Sequence, residues 1–129
     1  MTNHLMSLRV RYAESDQMGF AHHAAYVSWL EAARIEWLRA RGISYRELEE
    51  QGVLMPVIDV HIAYKRSVRF DDVIELETSA AVKGPTRVTF TTMIRLQGDP
   101  ATRAEATVTV AAVGRDGKPM RLPAVLNSQ

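Results

Sequence analysis

The chain has no cysteine among its 129 residues, which excludes disulfides, thiolate-held zinc, iron–sulfur clusters and a thiol nucleophile. That composition suits a reducing compartment, and a cytoplasmic protein is expected. It also has almost no net charge. Sixteen Lys+Arg against fifteen Asp+Glu leave +1, far from the concentrated positive field of a domain built to hold a phosphate backbone. No nucleic-acid partner is expected. No window approaches the roughly 18 consecutive apolar residues of a membrane span, and Met1–Met6 has no basic stretch leading into an apolar run. No membrane span is expected either. Gly-x-Ser-x-Gly, the Walker loop and Gly-x-Gly-x-x-Gly do not occur, so serine-hydrolase, nucleotide-hydrolase and dinucleotide chemistry have no support.

What is present is the balance of an ordinary folded domain, 47% hydrophobic and 24% charged at 14.5 kDa, with room for one core. Residues 1–129 are read as a single domain, with a core at about 6–113 and a loose tail after Pro123. Met6, Leu8, Val10 and Tyr12 alternate with polar residues, the two-residue period of a half-buried strand. Ala13–Phe20 crowds polar residues and ends in Met18-Gly19-Phe20, a loop. Ala24–Arg41 has no Gly or Pro and predicts a helix of about five turns, stopped by Gly42. On that helix Tyr26, Val27, Trp29, Leu30, Ala33, Trp37, Leu38 and Ala40 share one broad arc. Arg34 falls inside the arc and calls for a partner, with Glu31 the nearest acid. Ser44–Gln51 predicts a short second helix capped by Ser44, with Glu47 completing a capping box.

The rest is strand-like. Val60, Ile62, Tyr64, Val68 and Phe70 alternate, as do Ile74–Val82, Val88–Leu96 and Ala104–Ala112, and turn sequences at Lys83-Gly84-Pro85-Thr86 and Gln97-Gly98-Asp99-Pro100 make neighbours antiparallel. A sheet with one apolar face and one long helix has few ways to pack, and the expectation is α+β: a curved antiparallel sheet wrapped around the helix. The opposite strand faces carry Thr89, Thr91, Met93, Thr107, Thr109 and Ala111, a surface suited to meeting another subunit.

The densest set of reactive groups lies just before the long helix: Tyr12, Glu14, Asp16, His22 and His23, with Gly19 allowing close backbone approach. An Asp there either caps a loop or acts as base or nucleophile on an acyl group, with free helix N–H groups nearby for an oxyanion. Adjacent histidines point about 100° apart on a helix and lack an HxxxH partner, so no metal is expected. His61 and His4 read as structural or solvent-exposed. Among the basic residues Lys65, Arg66, Arg69, Lys83 and Arg87, Arg66 interrupts an apolar phase, and a phosphate-bearing ligand or a subunit boundary would explain it.

Tyr12-x-x-x-Asp16-x-x-Gly19-x-x-x-His23-x-x-Tyr26-x-x-x-x-Glu31-x-x-Arg34 resembles the signature of hot-dog-fold acyl-CoA thioesterases of the 4-hydroxybenzoyl-CoA thioesterase and YbgC type. Tyr64 and Phe70-Asp71-Asp72-Val73 extend the likeness to about residues 6–113. The resemblance implies a hot-dog fold and hydrolysis of an acyl-CoA thioester, with CoA part of the substrate and no further cofactor. It puts the nucleophile or general base on Asp16, the oxyanion-polarising N–H on His23, auxiliary roles on the Tyr12 and His23 side chains, and substrate approach at Gly19. Tyr26, Arg66, Lys83 and Arg87 are the remaining candidates for substrate binding. Ala25 stands where the family often has Asn, and Met18 replaces a commoner small residue. A homo-oligomer, dimer or tetramer, is implied. Acyl groups carried by acyl-carrier protein, or ligand binding without hydrolysis, are the alternatives.

Overall fold

The computed structural model describes residues 3–127, which form β1 (His4–Arg9), α1 (His23–Ala40), α2 (Tyr45–Glu50), β2 (Val57–Tyr64), β3 (Val73–Lys83), β4 (Arg87–Leu96), β5 (Thr102–Ala111) and α3 (Ala124–Asn127). The strands make one five-stranded sheet in the order β1-β3-β4-β5-β2, antiparallel at every step. Register follows from alternation. Leu76 pairs with Met6 and Ile94, and Phe90 with Ala80 and Val108, so the apolar phases of successive strands fall on one face. Thr78 and Thr92, directly opposite each other on that face, are fully buried and bond to each other at 3.0 Å, so neither hydroxyl is left unsatisfied.

Against this face lies α1, burying Ala25, Tyr26, Trp29, Leu30, Ala33, Trp37 and Leu38. Trp37 meets Phe90 of β4 edge to face at 5.6 Å. The helix stops where Gly42 takes φ +76°, a left-handed conformation that glycine adopts without strain. There Gly42 N–H donates to Arg39 O and Ile43 N–H to Leu38 O, each at 3.0 Å, and Leu38 and Ile43 are both buried at the join. Ser44 caps α2 as expected, its hydroxyl accepting from Glu47 N–H at 3.1 Å. The expected α+β architecture, a curved antiparallel sheet around one long helix, is the one observed. No helix among the described residues is long and apolar enough to cross a membrane.

Several local expectations change. Tyr12 is not in a strand, because β1 pairing passes at Val10 to the 71–72 turn (Val10 N–H to Asp72 O, 2.8 Å; Asp71 N–H to Val10 O, 2.9 Å) and the chain then enters a 3-10 turn at Tyr12–Glu14. The strand read across Val60–Phe70 ends at Tyr64. It is also an edge, so Val57, Ile58, Val60 and Tyr64 are 40–46% exposed despite their apolar phase. Val27 and Ala40 leave the buried arc, and Arg34 is only half-buried. No ion pair joins Glu31 to Arg34. Burial lowers the Arg34 pKa, partly offset by the fields of Glu31 and the Tyr45 hydroxyl.

Trp37→Ala removes the largest fully buried side chain and is expected to cost about 3–5 kcal/mol of unfolding free energy. Urea titration measures it, and a loss below about 1 kcal/mol would contradict this packing.

Candidate active site

The acidic loop is a small antiparallel hairpin. His22 N–H donates to Glu14 O at 2.9 Å, Ser15 bridges Ala21, and Asp16 N–H donates to Phe20 O at 2.7 Å. Gly19 turns the chain at φ +83°, its N–H reaching Asp16 O at 3.0 Å. A Cβ added there would meet nothing within 4 Å. Within this chain Gly19 is required by the turn, and the space beside it is open. The Asp16 side chain closes the same turn, with Oδ1 accepting from Met18 N–H at 2.9 Å and Phe20 N–H at 3.1 Å. Its second oxygen has no partner among the described residues and faces solvent. One oxygen of Asp16 thus caps the turn, as the first of its two readings expects, and the other is left open to solvent.

The hairpin leads directly into α1. His22 is the N-cap, its Nδ1 accepting from Ala25 N–H at 3.1 Å and its Nε2 lying 3.4 Å from Ala13 O, which fits a ring protonated on Nε2. The N–H groups of His23 and Ala24 find no acceptor among the described residues. They are oriented donors at the positive end of an 18-residue helix. The His23 ring stacks on Tyr64 at 4.2 Å, and Tyr64 meets Tyr26 edge-on at 4.9 Å. A cavity of about 160 Å³ opens here among Ala21, His23, Tyr64, Arg66 and Ser67.

The other candidates divide by position. Tyr12 is 77% exposed and edge-on to Phe70 at 5.3 Å, and Phe70 N–H donates to Gly19 O at 2.9 Å, so Tyr12 stands beside the Asp16 turn. Tyr26 is 2% exposed, with its hydroxyl against the Val68 backbone; it is a core residue that shows only an edge to the cavity. Burial is the main cause of its raised pKa. Arg66 does not interrupt a strand. It is exposed in the bend after β2, where Lys65 N–H and Arg66 N–H both donate to Arg103 O at 2.9 and 3.0 Å. Lys83 and Arg87 pair across the β3–β4 turn, ten residues along β3 from Val73 and at the far end of the sheet from Asp16. One chain does not bring them to the site. His61 is exposed on β2, and no group of three or more His, Cys, Asp or Glu able to hold a metal occurs among the described residues.

Glu14 has a place that spacing does not foretell. It is 8% exposed, and its carboxylate accepts from Arg11 N–H at 2.8 Å and from the Trp29 indole N–H at 2.9 Å. Burial pushes its pKa up. The Arg11 N–H, the indole N–H and the Arg11 guanidinium together outweigh that and hold it below the usual carboxylate range.

A five-stranded antiparallel sheet wrapped on one long helix is the hot-dog fold. The chain belongs to the thioesterase-like superfamily, whose model matches residues 10–129. It is 32% identical over 117 residues to the acyl-CoA thioester hydrolase YbgC of Escherichia coli O157:H7, covering 90% of this chain and 87% of that one. To YneP of Bacillus subtilis it is 39% identical over 71 residues, 55% of this chain and 51% of the relative, so the matched stretch spans about half of that protein's length. The crystal structure of a DHNA-CoA thioesterase from Staphylococcus aureus superposes with a TM-score of 0.90 at 27% identity, covering 99% of this chain and 86% of that one.

Because its folded pKa is depressed, Glu14 adds stability that is complete above its unfolded value of about 4.5 and is lost as pH falls through the folded value. Unfolding free energy measured between about pH 6 and 2 should therefore decline less steeply in Glu14→Gln than in the parent. Identical slopes would contradict the assignment.

Proposed function

We propose that this chain hydrolyses acyl-CoA thioesters to a free acid and CoA, with Asp16 as nucleophile or general base and the His23 N–H as oxyanion donor. The observation that carries this reading is the pairing of one unpartnered Asp16 oxygen with acceptor-free N–H groups at the helix start, both held by one five-residue turn and its hairpin. Hydrolysis needs both parts. A carbonyl oxygen placed at the His23 N–H gains charge as the carbon is attacked, and a fixed donor stabilises that charge without reorganising. Attack by Asp16 itself forms a mixed anhydride and expels the CoA thiolate, and water then cleaves the anhydride. Attack by water, with Asp16 taking the proton, reaches the same products in one displacement. The His23 imidazole, held by its stack on Tyr64, lines the cavity next to the donors.

Exposed Lys65, Arg66 and Arg69 beside the site support a second substrate form, an acyl group delivered by an acidic acyl-carrier protein. The free β2 edge supports a homodimer in which a second copy continues the sheet. Val57, Ile58 and Val60 are apolar and exposed there beside unpaired backbone groups, and a groove of about 140 Å³ runs between β2 and α1.

Thiol release from a panel of short-chain, long-chain and aromatic acyl-CoAs tests the chemistry. Asp16→Asn is expected to lower kcat about 100-fold or more, some 2.7 kcal/mol of barrier, with an unchanged melting temperature. A fully active variant overturns the role of Asp16, and tight ligand binding without thiol release would mean a binding protein instead. Faster turnover of carrier-protein thioesters than of CoA thioesters would select the second substrate form. Sedimentation equilibrium tests the edge, where Val60→Lys should leave a smaller species than the parent. Equal masses would rule the β2 edge out as the interface.

A further inference from the structure

We propose that Glu14 is a positioning residue that fixes the Asp16 turn against helix α1, through its buried carboxylate bonded at once to the Arg11 backbone and the Trp29 indole. The proposal deepens the reading of Asp16 and His23 given above and rests on it. Glu14 touches neither the free Asp16 oxygen nor the open helix N–H groups. Its position decides how the elements carrying them are joined.

Glu14 lies two residues before Asp16 on the same arm of the hairpin, and its carboxylate and carbonyl tie that arm in three directions. Oε1 takes the Arg11 N–H at 2.8 Å, anchoring the arm to the end of β1. Oε2 takes the Trp29 indole N–H at 2.9 Å, anchoring it to the helix well inside its second turn. The Glu14 carbonyl takes the His22 N–H at 2.9 Å, anchoring it to the helix cap. The arm bearing Asp16 is thus pinned to α1 at two heights, His22 and Trp29. A hairpin held to a helix at one point can still rock about it; two points stop that rotation. What is fixed in consequence is the offset between the free carboxylate oxygen and the His23 N–H, the offset on which attack and charge stabilisation both depend. Arg11 adds its guanidinium at 3.5 Å from Oε2, so the charge of this buried acid is balanced without a group from the site itself.

The donor pattern makes the proposal sharp. Both carboxylate oxygens receive N–H donors, an arrangement that favours the ionised acid. Glutamine has nearly the same shape but one acceptor, so its amide NH2 must face either the Arg11 N–H or the indole N–H. One tie breaks. Removing the indole donor with Trp29→Phe breaks the same tie from the other side and leaves glutamine with no conflict.

The test uses kcat and KM on the best acyl-CoA of the panel, together with backbone amide exchange at Asp16 and His22, the two N–H groups that close the hairpin. Glu14→Gln is expected to lower kcat about tenfold or more while KM stays within about twofold, and to speed exchange at both amides by a similar factor. Trp29→Phe should do likewise, and adding Glu14→Gln to it should change kcat by less than about threefold, the non-additivity of a shared contact. If Glu14→Gln does not fold, Trp29→Phe with its own kcat and exchange rates decides the matter. Parental kcat per folded molecule with parental exchange, even at a lower melting temperature, means that Glu14 only stabilises and overturns the proposal. Loss of activity in Glu14→Gln beside full activity in Asp16→Asn would instead defeat the reading of Asp16, and the exchange rates then decide the tie alone.

Discussion

Everything in this molecule follows from the need to cover α1. Its buried side includes two tryptophans, a tyrosine and two leucines over 18 residues, too wide an arc for a second helix packed along one stripe. At roughly 25 cal/mol per Å² of apolar surface removed from water, covering that arc contributes substantially to stability. Only a sheet curving about the helix reaches all of it. The curvature brings β1 and β3 against one flank, and carries β2 to the other, where the sheet ends. The helix start emerges at the end of the sheet where β1 finishes and β3 begins, and the loop between β1 and α1 must fold back there. The acid turn and the open N–H donors share that end of the molecule because the covering of the helix leaves it uncovered.

The reading of the strands succeeded because register needs only a two-residue period, which β3, β4 and β5 carry without interruption. Helix α1 was equally legible, from its composition and from Gly42, and shifted by one residue at each end. Errors gathered where backbone pairing changes partner. Tyr12 continued an apolar alternation, but Val10 had already been claimed by the 71–72 turn. Arg66 interrupted a phase only on the assumption that the strand ran on, and once β2 stops at Tyr64 the arginine is an ordinary exposed residue in a bend.

The site was legible in its residue types and not in its bonds. Asp16, Gly19 and His23 were picked out by the resemblance of their pattern to a known family, and the structure puts Asp16 and Gly19 in one turn and His23 at the start of α1. That Asp16 uses one oxygen for the turn depends on the N–H directions of Met18 and Phe20, which have no trace in residue identity. Glu14 was visible as one acid among several. Its partner is fifteen residues away, beyond the reach of helical or strand periodicity, and the only available signal was an indole whose N–H would need an acceptor once buried. Lys83 and Arg87 mislead in the opposite sense. They look like Arg66 in composition, and only the length of β3 separates them from the site.

The turn around Asp16 has a bearing on entropy. A free aspartate samples several rotamers, and an acid that must meet a reactant loses that freedom at every encounter. Here two backbone N–H groups hold Oδ1, so the plane of the carboxylate is set by the main chain. The second oxygen inherits a fixed direction without any contact of its own. Its orientational freedom is given up once, when the chain folds, and not again each time something arrives.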